Sequence, residues 1–323
     1  MRAAASLDAL LAGEPEATCA VARELRDEGV CAVAPGRALP PEFLARLSRT
    51  AVGFFKLPGA AKMAVALAAS GNLRGYVGYS EERTNGLPDL KESFEFGQER
   101  RTRGRTRPYH RMYGANVWPD AANAPEFRAV LEAYSQVAEA AGMALVEALI
   151  CLLETPETAA SCRALRRGRA SRFSRVNYYC EPAGISSGAD RLVAHTDNSL
   201  VTLAYQDAPG LEVERRSDGW SAGLPPGSLA VFTGELAEIW SGGTYRAARH
   251  RVRNGMLARE RVSVTSFFLP DLSARVLPLP GAGGGRQAED SFVVGEREWA
   301  RMERIFPTGT HAPPAPVPGE GAP

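Results

Sequence analysis

The chain has 323 residues, of which 45% are hydrophobic and 23% charged. That is enough to bury a sizeable core, and it excludes both a disordered tail and a disulfide-stapled miniature. Lysine plus arginine total 38 against 37 for aspartate plus glutamate, a net charge of +1, so no global field is available to hold nucleic acid or an anionic membrane.

Near the N-terminus, Asp8 arrives before an apolar leader segment can form, so no secretory signal is predicted and a cytoplasmic protein is expected. The best apolar run, Met143 to Leu153, is broken by Glu147 and falls short of the roughly 18 apolar residues of a membrane span. Five cysteines, Cys19, Cys31, Cys151, Cys162 and Cys180, are odd in number and scattered without a C-x-x-C. They are expected to be reduced thiols rather than a disulfide frame or a thiolate zinc site.

Taken in chain order, the first half reads as mainly helical. Residues 19–27 predict a short helix, 30–34 an apolar strand, and 41–55 a second helix with apolar residues at helical spacing. Residues 71–118 are rich in Gly, Pro, Asn and Arg around a strand-like piece at 93–97. The longest helix is predicted from Ala124 and Pro125 to Leu153, because Phe127, Val130, Leu131, Tyr134, Val137, Ala141, Leu145 and Leu149 recur every three or four residues. After Ser171 the texture changes to short runs between turn signals, at 173–179, 192–196, 200–205, 211–214, 228–233, 247–252 and 262–269. Many short strands at this spacing predict a mainly β jelly roll with helical support, not alternating βαβ units. The predicted organisation is one domain over 1–306: a mostly helical part at 1–170, a jelly-roll core at 171–280, and a strand and helix at 281–306. The Pro/Gly/Ala-dominated tail, 307–323, is predicted to be disordered.

The four histidines are His110, His195, His250 and His311. His195 is followed two residues later by Asp197, and on a strand that spacing points both side chains to one face. His250 supplies a third donor from a later strand, where Ala248 and Val252 share its face and Arg249, Arg251 and Arg253 share the other. Two imidazoles and one carboxylate on one side of a metal make the facial triad of non-haem Fe(II) oxygenases. Further on, Arg261 and Ser263 form another i, i+2 pair opposite Val262 and Val264. An inward arginine is costly unless an anion meets it, and a dicarboxylate cosubstrate answers that need. His110 and His311 read as surface residues.

With these residues in place, the sequence resembles the isopenicillin N synthase-like Fe(II)/2-oxoglutarate-dependent oxygenases. The matching pieces are NYY at 177–179, AHTD at 194–197, PPGSLAVFTGELAEIWSGGTYRAARHRV at 225–252 and RVSVTSFFLPD at 261–271. Upstream they continue with FFKLPGAAKM at 54–63, RGYVGY at 74–79 and KESFEFG at 91–97. The resemblance implies a double-stranded β-helix core holding Fe(II) through His195, Asp197 and His250. It also implies that 2-oxoglutarate chelates the iron, that Arg261 and Ser263 hold its distal carboxylate, that Tyr179 donates a further hydrogen bond, and that Asn177 lies close to the iron. O2 then converts 2-oxoglutarate to succinate and CO2 and yields a ferryl oxidant that hydroxylates, desaturates or cyclises a small molecule. A place in bacterial natural-product biosynthesis is part of the same implication. Oligomeric state is not encoded in these motifs.

Some alternatives stay open at this level. Arg259 stands near Arg261, although only Arg261 has the serine two residues on. Phe267 reads either as an aromatic closing the substrate pocket or as plain core. Enzymes of this family that use iron and O2 without 2-oxoglutarate retain the R-x-S pair. The run Arg100, Arg101, Arg103, Arg105, Arg107 and Arg111 reads as a solvated loop or as a recruiter of an anionic partner. Glu235, where the family usually carries Asp, reads as an outer structural contact.

Two further motifs are rejected or demoted. Gly184 to Gly188 matches G-x-S-x-G, and Ser186, Asp197 and His250 occur in serine-hydrolase order. A nucleophile elbow needs a strand before it and a helix after it, which the flanking residues do not predict. Gly281 to Gly285 lacks the Lys and Ser/Thr of a phosphate loop.

Overall fold

A computed structural model describes residues 3–100, 106–166, 170–181, 184–186, 188–222, 224, 227–257, 259–279 and 291–306. The expectations placed on Arg101, Arg103, Arg105, Gly281–Gly285, His311 and the tail at 307–323 lie outside those residues.

The N-terminal part builds helices around a few strands. In order come β1 (Ala5–Ser6), α1 (Leu7–Leu11), α2 (Pro15–Glu28), β2 (Val30–Ala34), α3 (Pro41–Phe55), α4 (Gly59–Met63), α5 (Leu67–Ser70), β3 (Gly75–Val77), β4 (Arg83–Thr84), β5 (Leu87–Pro88) and β6 (Glu92–Gly97). The long helix α6 (Phe127–Cys151) and the short α7 (Ala159–Arg166) follow. Helix α2 starts earlier than its apolar period indicated, because Pro15 occupies its first turn, and it ends at Gly29 in the left-handed conformation, with φ 76°.

The β-rich part contains β7 (Ser171–Tyr179), β8 (Asp190–His195), β9 (Val201–Gln206), β10 (Leu211–Arg215), β11 (Gly219–Ser221) and β12 (Leu229–Thr233). It continues through α8 (Glu235–Trp240), β13 (His250–Arg253), β14 (Arg261–Leu269), β15 (Arg275–Val276), β16 (Phe292–Val293) and α9 (Val294–Ile305). One sheet has eight strands in the order β1-β2-β12-β9-β14-β7-β6-β3, and a second has four, β11-β10-β13-β8. The two sheets face each other as the jelly roll that the strand spacing predicted.

Alternation along the strands decides what each face of the large sheet meets. Val176, Leu203, Val231, Val262 and Val264 point outward into the main core with Val21 and Leu25 of α2, Phe54 of α3 and Leu145 of α6. Contact there is close enough that a Cβ at Gly142 of α6 would lie 2.2 Å from the Phe268 ring. Side chains one residue away face the small sheet instead. β7 pairs with β14 on one side and β6 on the other, giving the row Ser93, Asn177, Ser263, Gln206 and the next row Glu95, Arg175, Thr265, Ala204. This inner face is polar because it lines a cavity; strand burial on both sides therefore does not mean apolar on both sides.

Candidate metal and cosubstrate site

A cavity of about 740 Å³ lies between the sheets, lined by His195, Asp197, His250, Asn177, Tyr179, Arg261, Ser263 and Phe267 among others. His195 ends β8 and is registered opposite His250 at the start of β13. Asp197 differs from its predicted placement: it lies past the end of β8, not on the strand. Its position is set instead by Thr202 Oγ1, which donates to Asp197 Oδ2 at 2.7 Å. The i, i+2 spacing brings the groups together across the end of β8.

His195, Asp197 and His250 offer ligand atoms that lie within 4.8 Å of one another. Nε2 of each ring stands 3.8 Å from Asp197 Oδ1. At the far side of each ring, His195 Nδ1 meets the Val193 carbonyl at 2.9 Å and His250 Nδ1 meets that of Ala248 at 3.1 Å. With the proton on Nδ1, each Nε2 lone pair is free toward the carboxylate. The Phe232 ring stacks on His250 at 4.9 Å and fixes its plane. Burial, and then the neighbouring His250, push His195 down to about 3, so its imidazole is neutral at ordinary pH. Burial alone would raise Asp197, but His250, His195 and the Thr202 hydrogen bond together hold it below its ordinary value. Two imidazole nitrogens and a carboxylate oxygen on one side of a cavity are the donor set a divalent iron needs, and these residues fit it.

Arg261 and Ser263 face the same cavity, while Val262 and Val264 lie in the main core. Arg261 is only 2% exposed, yet among the described residues no carboxylate pairs with its guanidinium. Its contacts are neutral: Nε donates to the Ala208 carbonyl at 3.1 Å, Nη2 to Gln206 Oε1 at 2.7 Å and Nη1 to Ser263 Oγ at 3.5 Å. Tyr179 lies beneath it, with the guanidinium carbon 4.9 Å from the ring centre. Asn177 Nδ2 donates to Ser263 Oγ at 3.4 Å, and its Oδ1 is buried without a protein partner. Arg259, the open alternative, has a side chain 59% exposed and pairs with Asp207 at 3.8 Å, which places it outside. Gln206 was missed in the sequence, where a Q-D pair at a strand end has no distinctive spacing.

The structure also gives the positions of the other singled-out residues. Phe267 is half-buried on the cavity wall, one row beyond Thr265. Glu235, read as an outer contact, in fact lines the cavity while accepting from Thr196 Oγ1 at 2.7 Å and from Arg297 at 3.1 Å. His110 is a correction: it is buried in the 3-10 turn Pro108–Tyr113, 3.2 Å from Ser273 Oγ. The arginine run is partly internal as well, because Arg100 pairs with Asp271 at 2.7 Å. Ser186 is exposed on a loop that leads into β8 rather than a helix, and it does not line the cavity, so the hydrolase arrangement fails. All five cysteines are free. Among the described residues no helix is long and apolar enough to cross a membrane.

Comparison with known proteins agrees with this geometry. Residues 7–121 match the family described as non-haem dioxygenase in morphine synthesis N-terminal, and residues 171–270 match the 2OG-Fe(II) oxygenase superfamily. A validamycin A dioxygenase of Streptomyces hygroscopicus subsp. limoneus is 33% identical over 279 residues, 81% of this chain and 74% of that protein. A homoarginine-6-hydroxylase of Arabidopsis thaliana is 27% identical over 286 residues, 84% of each. In structure, a full-length Neurospora crassa protein crystallised in complex with alpha-KG superposes with a TM-score of 0.73 at 20% identity, covering 92% of this chain and 94% of that one. The chain belongs to the 2OG-Fe(II) oxygenase superfamily. It is a 2-oxoglutarate-dependent dioxygenase, an oxidoreductase whose chemistry uses Fe(II), 2-oxoglutarate and O2.

Proposed function

We propose that His195 Nε2, Asp197 and His250 Nε2 hold the iron, and that Arg261 and Ser263 seat the distal carboxylate of 2-oxoglutarate. The enzyme then oxidises a small molecule held against the remaining cavity wall. The observation that carries this reading is the convergence, in one cavity, of the His-Asp-His group and a buried arginine lacking a carboxylate partner. Iron with 2-oxoglutarate, when bound, supplies the activation of O2, with the keto acid leaving as succinate and CO2 and the second oxygen atom available to the substrate.

The residues of the chain position these groups. Gln206 and the Ala208 carbonyl hold two edges of the Arg261 guanidinium before any ligand arrives, so its orientation costs little on binding. The Tyr179 ring packs against that guanidinium, and in this reading its hydroxyl adds a donor to the carboxylate seat. Asn177 lines the same cavity with its Oδ1 lacking a protein partner, and in this reading it serves the bound groups as an acceptor. Phe267 with Met302, Ile305 and Phe306 at the α9 end adds apolar wall to the cavity, which in this reading keeps water from the reacting carbon. Hydroxylation, desaturation or ring closure follows from where that carbon is held. The similarity to an enzyme named for validamycin A supports a place in bacterial specialised metabolism.

The test is an anaerobic titration of the apoprotein with Fe(II) and then 2-oxoglutarate, following the visible charge-transfer band of a chelated keto acid. A saturable band, absent in Asp197→Ala and shifted to higher 2-oxoglutarate concentration in Arg261→Ala, is expected. Iron binding with no band would overturn the cosubstrate seat, and no iron binding would overturn the metal assignment.

A further inference from the structure

The cavity is lined by a second arginine, just before β3, in the same electrostatic predicament as Arg261. Arg74 lines the cavity and is 2% exposed. Among the described residues no carboxylate pairs with it. Its Nη1 donates to the Leu73 carbonyl at 3.3 Å and its Nη2 to that of Met112, while its Nε is buried without any partner. Three of its five N–H groups are therefore unused. Burial pushes it down to about 10. Buried guanidinium groups ordinarily face a carboxylate, because the desolvation of the cation is otherwise uncompensated.

The local chain is built around this side chain. Leu73, immediately before it, has φ 61°, a left-handed conformation costly for a bulky residue and sustained only where the surroundings impose it. Gly97 of β6 provides the space: a Cβ there would lie 2.5 Å from Arg74 Nη2. Gly97 is registered opposite Phe173, over whose ring the Arg74 guanidinium sits at 5.1 Å. The nearest acid on this face, Glu95, is committed to Arg175, which also pairs with Glu82 at 2.5 Å. The exposed cavity arginines Arg83 and Arg304 carry no comparable burden.

We propose that Arg74 is the seat for a carboxylate of the primary substrate, opposite the end where Arg261 seats 2-oxoglutarate. The inference rests on the reading of Arg261 given above, and it adds the substrate's chemical class. Phe173 stands four residues from Asn177 on β7, so the seat lies about 13 Å along the face from the row of Asn177 and Ser263, by the rise of a strand. The substrate is then an elongated carboxylic acid whose reacting carbon is at the far end from its carboxylate. A single negative charge suits the site, because Glu95 and Glu82 nearby would repel a dianionic phosphate.

The experiment loads the full chain with Mn(II), which binds without turning over, and with saturating 2-oxoglutarate. It is then titrated calorimetrically with straight-chain monocarboxylates of four to eight carbons and with the corresponding primary amides. Wild type should prefer at least one carboxylate over its amide by about tenfold or more, the scale of a charge-assisted hydrogen-bonded pair. Arg74→Met and Gly97→Ala should both lose that preference while their 2-oxoglutarate affinity stays within about twofold of wild type. Absence of any carboxylate preference in wild type, or its survival in Arg74→Met, would overturn the proposal. If Arg74→Met does not fold, Gly97→Ala decides, since it displaces the guanidinium without removing it. An unchanged 2-oxoglutarate affinity in Arg261→Ala would overturn the cosubstrate reading alone and leave the Arg74 result standing.

Discussion

Arg261 and Arg175 sit on adjacent strands of one sheet and project into one cavity, yet their surroundings differ in kind. Arg175 is matched by two carboxylates, those of Glu82 and Glu95, and Glu82 in turn pairs with Lys91, which stands 3.4 Å from Asp89. Arg261 meets only a carbonyl, an amide oxygen and a hydroxyl. A cluster closed on itself makes a rigid wall; a buried cation surrounded by neutral acceptors is poised for a ligand that brings its own charge. Partner chemistry rather than residue type separates scaffold from site.

The largest effect should come from the metal end. Asp197→Ala is expected to copurify without iron, by elemental analysis, and to lower 2-oxoglutarate turnover by roughly a thousandfold or more, the scale of losing metal-assisted chemistry. An iron-replete, active variant would remove the metal from this side of the comparison. At the closed cluster, Glu82→Ala leaves Lys91 and Arg175 short of a partner and should cost about 3–5 kcal/mol in urea unfolding of the apoprotein. At the open end the opposite pattern is expected. Arg261→Ala should weaken 2-oxoglutarate about a hundredfold, or ~2.7 kcal/mol, while leaving unfolding stability undiminished, because the cation it removes has no carboxylate to abandon.

Acid should attack the closed cluster first. Burial by itself would raise Glu82, but Arg175 and Lys91 override it and hold the carboxyl down to about 2, against 4.5 for a free glutamate. With its folded value depressed, its contribution is fully present above about pH 4.5 and is lost as pH falls from there toward about 2. Unfolding stability should therefore fall more steeply with acid across that window in wild type than in Glu82→Gln. The smallest effect is expected from Gln206→Leu, which removes one neutral hydrogen bond from Arg261 and should raise the 2-oxoglutarate dissociation constant by about tenfold or less. A larger loss would mean that the guanidinium is not otherwise held.

Much of the site was legible because it is written in short spacings. His195 with Asp197, and Arg261 with Ser263, are i, i+2 pairs whose partners stay close whatever the register. His250 was legible from its apolar strand face, and the outward arginines beside it do pair across strands, Arg249 with Glu214 at 3.0 Å and Arg251 with Glu212 at 2.7 Å. What misled was local context. The Asp197 spacing pointed to a strand, whereas the residue lies just past the end of β8, where a threonine five residues later holds its carboxylate. His110 looked solvent-exposed among arginines and glycines, but packing of its 3-10 turn against Ser273 buries it.

The sequence by itself determined the elements and their faces: apolar residues every three or four positions made α6, and alternation made strands with one side for the core and one for the cavity. It also carried the His195, Asp197 and His250 group proposed to hold iron, since those residue types at those intervals have few other uses. Only the tertiary structure decided which charges find partners. Glu82, Glu95 and Lys91 come to Arg175 and to one another from other segments, while among the described residues no carboxylate comes to Arg261 or Arg74. Pairing of buried charges depends on distances of a few ångströms between segments remote in the chain, and no local pattern encodes them.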